Sequence, residues 1–182
     1  MRKHLIATCT VFLMSLGLLA SPGRTQQDKS KRPSPPAKAE CKLDDGKMIT
    51  VDYSSPRVKS RKIYGELVPF GQVWRAGANE ATTFLTDTDV IVGGKAVPAG
   101  SYTLFTIPNA DKWTLIISKK TGEWGIPYPG EAEDFARTDM KVSALPAPVE
   151  NFTISFEHAG NVCTMHLDWE TTRASVGISR KK

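Results

Sequence analysis

Seven consecutive residues, Trp74-Arg75-Ala76-Gly77-Ala78-Asn79-Glu80, hold an aromatic ring, a guanidinium, an amide and a carboxylate around one glycine. That set suits a polar ligand. Trp74 would stack on a sugar or other ring, Arg75 would fork onto a carboxylate or phosphate, and Asn79 and Glu80 would fix hydroxyls. The same residues also suit a buried polar network in which Glu80 satisfies Arg75 or backbone amides, because buried charges are ordinarily paired. A third role makes Glu80 a general base, alone or with Asp87 as a glycosidase-like carboxylate pair.

Three other groups bear on chemistry. The glycine- and proline-rich stretch KKTGEWGIPYPG, residues 119–130, carries Trp124 and Tyr128. An exposed Trp124 would grip carbohydrate, whereas a packed one would cap the core. Arg57, Lys59 and Arg61 alternate behind Pro56 and would share one face of an extended segment, as an anion stripe or as charges that discourage edge pairing. His166, Asp168 and Glu170 alternate with Cys163, Met165, Leu167 and Trp169, so they would form either the wet face of a strand or a cation clamp. A copper site from Cys163, Met165 and His166 fails, since the histidine points away from the other two. The chain lacks G-x-S-x-G, a phosphate-cradling loop, G-x-G-x-x-G and H-E-x-x-H, and the expectation is a domain with no metal or cofactor.

The elements that must position these residues are strands. Ile49, Val51 and Tyr53 alternate with Thr50 and Asp52, and Phe152, Ile154 and Phe156 alternate with Thr153 and Ser155. Gly93-Gly94 between Val90-Ile91-Val92 and Lys95-Ala96-Val97 is a tight-hairpin signal. Residues 101–107, 113–118, 163–169 and 172–178 add further strands, and residues 130–135 allow a single helical turn. Eight to ten strands with turns at short intervals predict an all-β fold, an antiparallel β-sandwich, of which a jelly-roll-like arrangement is one form.

Residues 1–20 have the form of an export leader. Met1-Arg2-Lys3-His4 is positive, and the apolar run from Leu5 to Ala20 is too short for a membrane span. Residues 21–40 are rich in proline, lysine, serine and glutamine and predict a disordered tether, which leaves 41–182 as the folded domain. The chain carries 24 basic and 19 acidic residues, a net charge of +5. Removal of Arg2 and Lys3 with the leader leaves 22 − 19 = +3, and Arg24, Lys29, Lys31 and Arg32 of the remainder lie in the tail, so the domain has no basic balance for nucleic acid. Of the cysteines, Cys41 and Cys163 remain after the leader; in an oxidising compartment they would pair, and the alternative is two buried thiols.

The strings YSSPRVKSRKIYGELVPFGQVWRAGANEATT, KAVPAGSYTLFTIPN, WTLIISKKTGEWG and LPAPVENFTISF resemble the bacterial DUF2911 family, over roughly residues 45–178. The resemblance implies an exported β-rich domain and supplies no catalytic residues, since the family is one of unknown function. The expectation is therefore a periplasmic or extracellular, non-catalytic module without a transmembrane span in its mature form. It would bind a carbohydrate or small polar ligand through Trp74, Arg75, Asn79, Glu80 and Trp124. The alternatives are an envelope hydrolase or lyase using Glu80, and a structural or protein-interaction module with an exposed apolar patch.

Overall fold

The structure is a computed structural model that describes residues 28–181. The expected leader and the first part of the tail lie outside the described residues. Among the described residues, nine strands form one antiparallel sheet: β1 (Pro36–Lys42), β2 (Met48–Ser54), β3 (Thr82–Thr86), β4 (Val90–Val92), β5 (Lys95–Val97), β6 (Gly100–Ile107), β7 (Lys112–Ser118), β8 (Asp134–Ala159) and β9 (Val162–Arg180). Their order is β1-β2-β3-β6-β7-β8-β9-β4-β5.

The sheet folds over on itself because β8 and β9 serve two layers. Their near halves pair in line with β7 and β4. Their far halves turn back over β1 and β2, where a disulfide joins Cys41 of β1 to Cys163 of β9 with the Cα atoms 6.3 Å apart. Tyr53 of β2 reaches the same layer, its hydroxyl accepting from the Ile154 N–H at 3.1 Å. The enclosed core runs from Ile49, Val51, Phe84, Leu104 and Trp113 on one side to Phe152, Met165, Leu167 and Trp169 on the other.

The fold-over needs a break in the period of two. Before Glu170 the inward residues of β9 are the odd-numbered Cys163, Met165, Leu167 and Trp169; after it they are Ala174, Val176 and Ile178. Glu170 has φ +53°, and the β8–β9 register shifts beside it. One out-of-step residue thus swaps the faces, so that both halves of a bent strand address one core. Pro146 and Pro148 fall in the stretch of β8 between Ala144 and Val149, where the pairing with β9 lapses and no ladder N–H is required.

The structure moves the domain boundary toward the N-terminus. The segment expected to be tether through residue 40 contains β1, which pairs along its whole length with β2, from Pro36↔Ser54 to Lys42↔Met48. Ahead of it, residues 28–35 lie along the domain, with the Ser55 N–H donating to the Pro35 carbonyl. Polar composition misleads here because β1 is an edge strand: only alternate residues, Ala39 and Cys41, are buried, and Lys38, Glu40 and Lys42 fill the wet face.

The crossover between β2 and β3, residues 55–81, closes the end of the core. Val58 N–H donates to the Glu150 carbonyl, and Trp74 exchanges two backbone bonds of 2.7 Å with Thr106 of β6. Ile63, Tyr64, Val68 and Ala76 are buried beneath it. On the outer face of β6 and β7, Phe105 and Ile116 are also fully buried, beside the 119–130 loop, where Tyr128 packs edge-on to Phe105.

Candidate functional site

A cavity of about 320 Å³ opens where the crossover, the N-terminal arm and the 119–130 loop meet. Trp74 and Trp169 form its aromatic wall, and Arg61, Arg75, Leu67, Val68 and Ile126 complete most of the lining, with Ser34 supplied by the arm. Trp74 is partly buried and strongly fixed. Its ring stacks on Trp169 at 5.8 Å and 15°, and meets Phe152 at 5.1 Å and Trp113 at 6.4 Å near right angles. Such aromatic pairs add to the burial of apolar area, so the wall is rigid.

The turn that follows Trp74 uses left-handed backbone at Ala76 and Asn79 and a close approach at Gly77. A Cβ on Gly77 would sit 3.0 Å from the Ser54 carbonyl oxygen. This geometry folds the peptide back beneath Arg75. Arg75 Nη1 then donates to the Asn79 carbonyl at 2.8 Å and to the Trp124 carbonyl at 3.1 Å. Gly125 permits that second contact, since a Cβ there would meet Arg75 Cβ at 3.0 Å. Arg75 has no carboxylate partner among the described residues, and burial lowers its pKa from the ordinary arginine value.

The five residues expected to act together separate into two groups. Trp74 and Arg75 line the cavity. Trp124 supplies its carbonyl to Arg75, but the residue is 53% exposed and it is Gly125 and Ile126 of that loop that line the cavity. Asn79 and Glu80 hold the arm instead: Asn79 Nδ2 donates to the Ser34 carbonyl at 2.9 Å, and Arg32 Nη1 bonds Glu80 at 2.8 and 3.0 Å, with Lys29 at 3.0 Å. The cause of this division is the arm, which lies along the domain although its composition predicts a tether.

Glu80 is far from the state a general acid or base needs. Its own backbone N–H is the main cause of a pKa lowered to about 2; partial burial opposes this, and Lys29 and Arg32 add to the lowering. Asp87, the other carboxylate of the envisaged pair, accepts the Met48 N–H at 3.1 Å beside the β2–β3 ladder.

The remaining sequence candidates also resolve. Lys59 and Ser60 adopt positive φ, so Arg57, Lys59 and Arg61 do not share one extended face. Arg61 folds back, its Nε donating to the Val58 carbonyl at 3.0 Å and its Nη2 to the Arg57 carbonyl at 2.6 Å, and this brings it to the cavity. His166 and Asp168 are mostly shielded: Nδ1 of His166 lies 2.8 Å from Ser175 Oγ, and Arg173 forks onto Asp168 at 2.8 and 2.6 Å. Trp169 and Ile126 also line the cavity, although neither carries a chemical signal in the sequence. Trp169 reads as an ordinary inward strand residue, and only the fold-over reveals that it backs a cavity.

Fold and site together define an all-β domain with an aromatic-walled, cationic cavity at the end of its core. The chain belongs to the DUF2911 family, described as a protein family of unknown function, whose model matches residues 34–178. The match begins where the ordered arm joins β1. Comparison with curated proteins and with solved structures found no match. Among the described residues no helix is long and apolar enough to cross a membrane.

Proposed function

We propose that the domain is an exported, non-catalytic binding module that takes a polar ligand, a glycan or another envelope component, in the cavity beside Trp74 and Arg75. The observation carrying this reading is the cavity itself, which joins a fixed aromatic wall to a guanidinium whose donors are only partly used. Its volume lies at the lower end of the range of small-ligand sites, ~300–1,000 Å³, and suits about one ring. Export is supported by the paired cysteines, since such bonds persist in oxidising compartments.

The test is a thermal-shift screen of the purified protein against glycans, organic anions and divalent metals, with Arg75→Gln alongside. A ligand at about a hundred times its Kd adds ~2.7 kcal/mol, which for a domain of this size raises the melting temperature by roughly 5–10 °C. The reading expects a shift in the wild type that the folded variant loses. A ligand that shifts both equally would remove the cavity from consideration.

One observation favours a protein-interaction reading. Leu67 and Ile126, 45% and 67% exposed, both line the cavity, so its mouth is apolar. That reading expects Leu67→Ser with Ile126→Ser to weaken a partner's binding while any small-ligand shift survives.

A further inference from the structure

The arginines of the described chain fall into two sets. Arg32, Arg137, Arg173 and Arg180 each hold a carboxylate within 3.2 Å. Arg57, Arg61 and Arg75 hold only carbonyl or hydroxyl oxygens among the described residues. The second set is gathered in and beside the β2–β3 crossover, and two of its members line the cavity. Among the described residues no aspartate or glutamate lines that cavity. Elsewhere among the described residues the guanidinium groups are paired with acids; here a cationic lining is left without counter-charge.

The donor accounting points the same way. A guanidinium has five N–H groups. Both hydrogen bonds of Arg75 leave from Nη1, so its Nε and Nη2 have no acceptor among the described residues. Those of Arg61 leave from Nε and Nη2, so its Nη1 has no acceptor among the described residues. An anion would satisfy such donors with charge-assisted bonds, whereas a neutral hydroxyl would answer the geometry but not the charge. Arg75 is also preorganised, because the Asn79 and Trp124 carbonyls hold its Nη1 before any ligand arrives.

We infer that the ligand of this cavity is a sugar-sized ring bearing a carboxylate or phosphate, with Arg75 forking onto the anion, Arg61 adding positive charge and the Trp74–Trp169 wall taking the ring. The inference rests on the cavity being the ligand site. It excludes neutral glycans and divalent cations as preferred ligands, the latter because two guanidinium groups would repel a cation where no carboxylate is present to hold it.

The experiment is a titration of the purified protein with glucuronate, the neutral methyl ester of glucuronate, glucose 6-phosphate and glucose. Trp74 and Trp169 at the wall make intrinsic fluorescence the readout. At least one anion should bind about tenfold or more tightly than its neutral counterpart, and the preference should shrink in high salt. Arg75→Gln should abolish the preference. Arg61→Gln, whose side chain bonds only two carbonyls of its own turn, should reduce it without disturbing the Arg75 supports. Whether glucuronate or glucose 6-phosphate wins separates a carboxylate ligand from a phosphate one. Equal binding of charged and neutral forms would overturn the anion inference and leave the ligand site standing. Saturable binding by none of the four, with no hit in the broader thermal screen, would overturn both, and a preference that survives both variants would overturn the assignment to these arginines.

Discussion

Breaking the Cys41–Cys163 bond perturbs the contact that holds the folded-over layers together, and its size can be worked from the chain. The bond closes a separation of 122 residues. With that loop length, −2.1 − 1.5R ln n gives about −16 cal/mol/K, or about 5 kcal/mol at 25 °C, taken from the unfolded state when the bond is present. Both cysteines lie in the core, so reduction leaves two thiols in nearly the same packing and the effect is mainly on the unfolded chain. Typical domain stabilities are about 5–15 kcal/mol, so the reduced protein keeps a fraction of its stability or none. Equilibrium urea unfolding with and without reductant measures this. At a slope of ~2 kcal/mol/M the midpoint should fall by roughly 2 M or more, and Cys41→Ala with Cys163→Ala should behave like the reduced wild type. A fall of less than about 1 kcal/mol would refute the reasoning, because it would mean that β1 and β9 are held together without the bond, or that the denatured chain already keeps them close.

Three further outcomes follow from the geometry. Trp74→Ala removes a ring packed on Trp169, Phe152 and Trp113 and should destabilise by about 3–5 kcal/mol in urea unfolding, which makes it a poor variant for binding studies. Glu80 has its pKa lowered from 4.5 to about 2, so its stabilising contribution is present above pH 4.5 and is lost as pH falls toward 2. The side chain is 39% exposed, which limits the contribution to roughly 1 kcal/mol; Glu80→Gln should flatten that pH dependence and increase proteolytic cutting of the 28–35 arm. Gly93→Ala would place a Cβ 2.2 Å from Thr138 Oγ1 at φ +53°, whereas Gly94→Ala meets nothing within 4 Å, so melting temperatures should fall further for the first variant than for the second.

Much of the strand pattern was legible because alternation survives wherever one face is wet. Ile49 to Tyr53, the Gly93-Gly94 hairpin and Trp113 to Ser118 became β2, β4–β5 and β7 much as their residues predict. β3 was missed because Thr82 to Thr86 offers one large apolar residue facing inward, Phe84, among threonines whose burial is set by neighbouring strands. The near half of β8 was missed because Pro146 and Pro148 read as breaks, although they occupy a stretch with no ladder bond to make. At the site, Trp74 and Arg75 were legible as chemistry, since their types carry it. The roles of Asn79 and Glu80 were not, because they depend on Arg32 and Ser34, more than forty residues away and in a segment whose composition resembles a linker. Arg61 reaches the cavity only through the left-handed turn at Lys59 and Ser60, which no spacing of positive charges announces.

The most direct test of the central claim is a map of amide and indole chemical-shift changes on adding the ligand that raises the melting temperature most. The account predicts changes concentrated at Arg61, Trp74, Arg75 and Ile126, with the Trp74 indole among the largest. Changes centred elsewhere, at the Tyr128–Arg137 network on the outer face or at the Asp45–Arg180 pair near the β1–β2 turn, would contradict it.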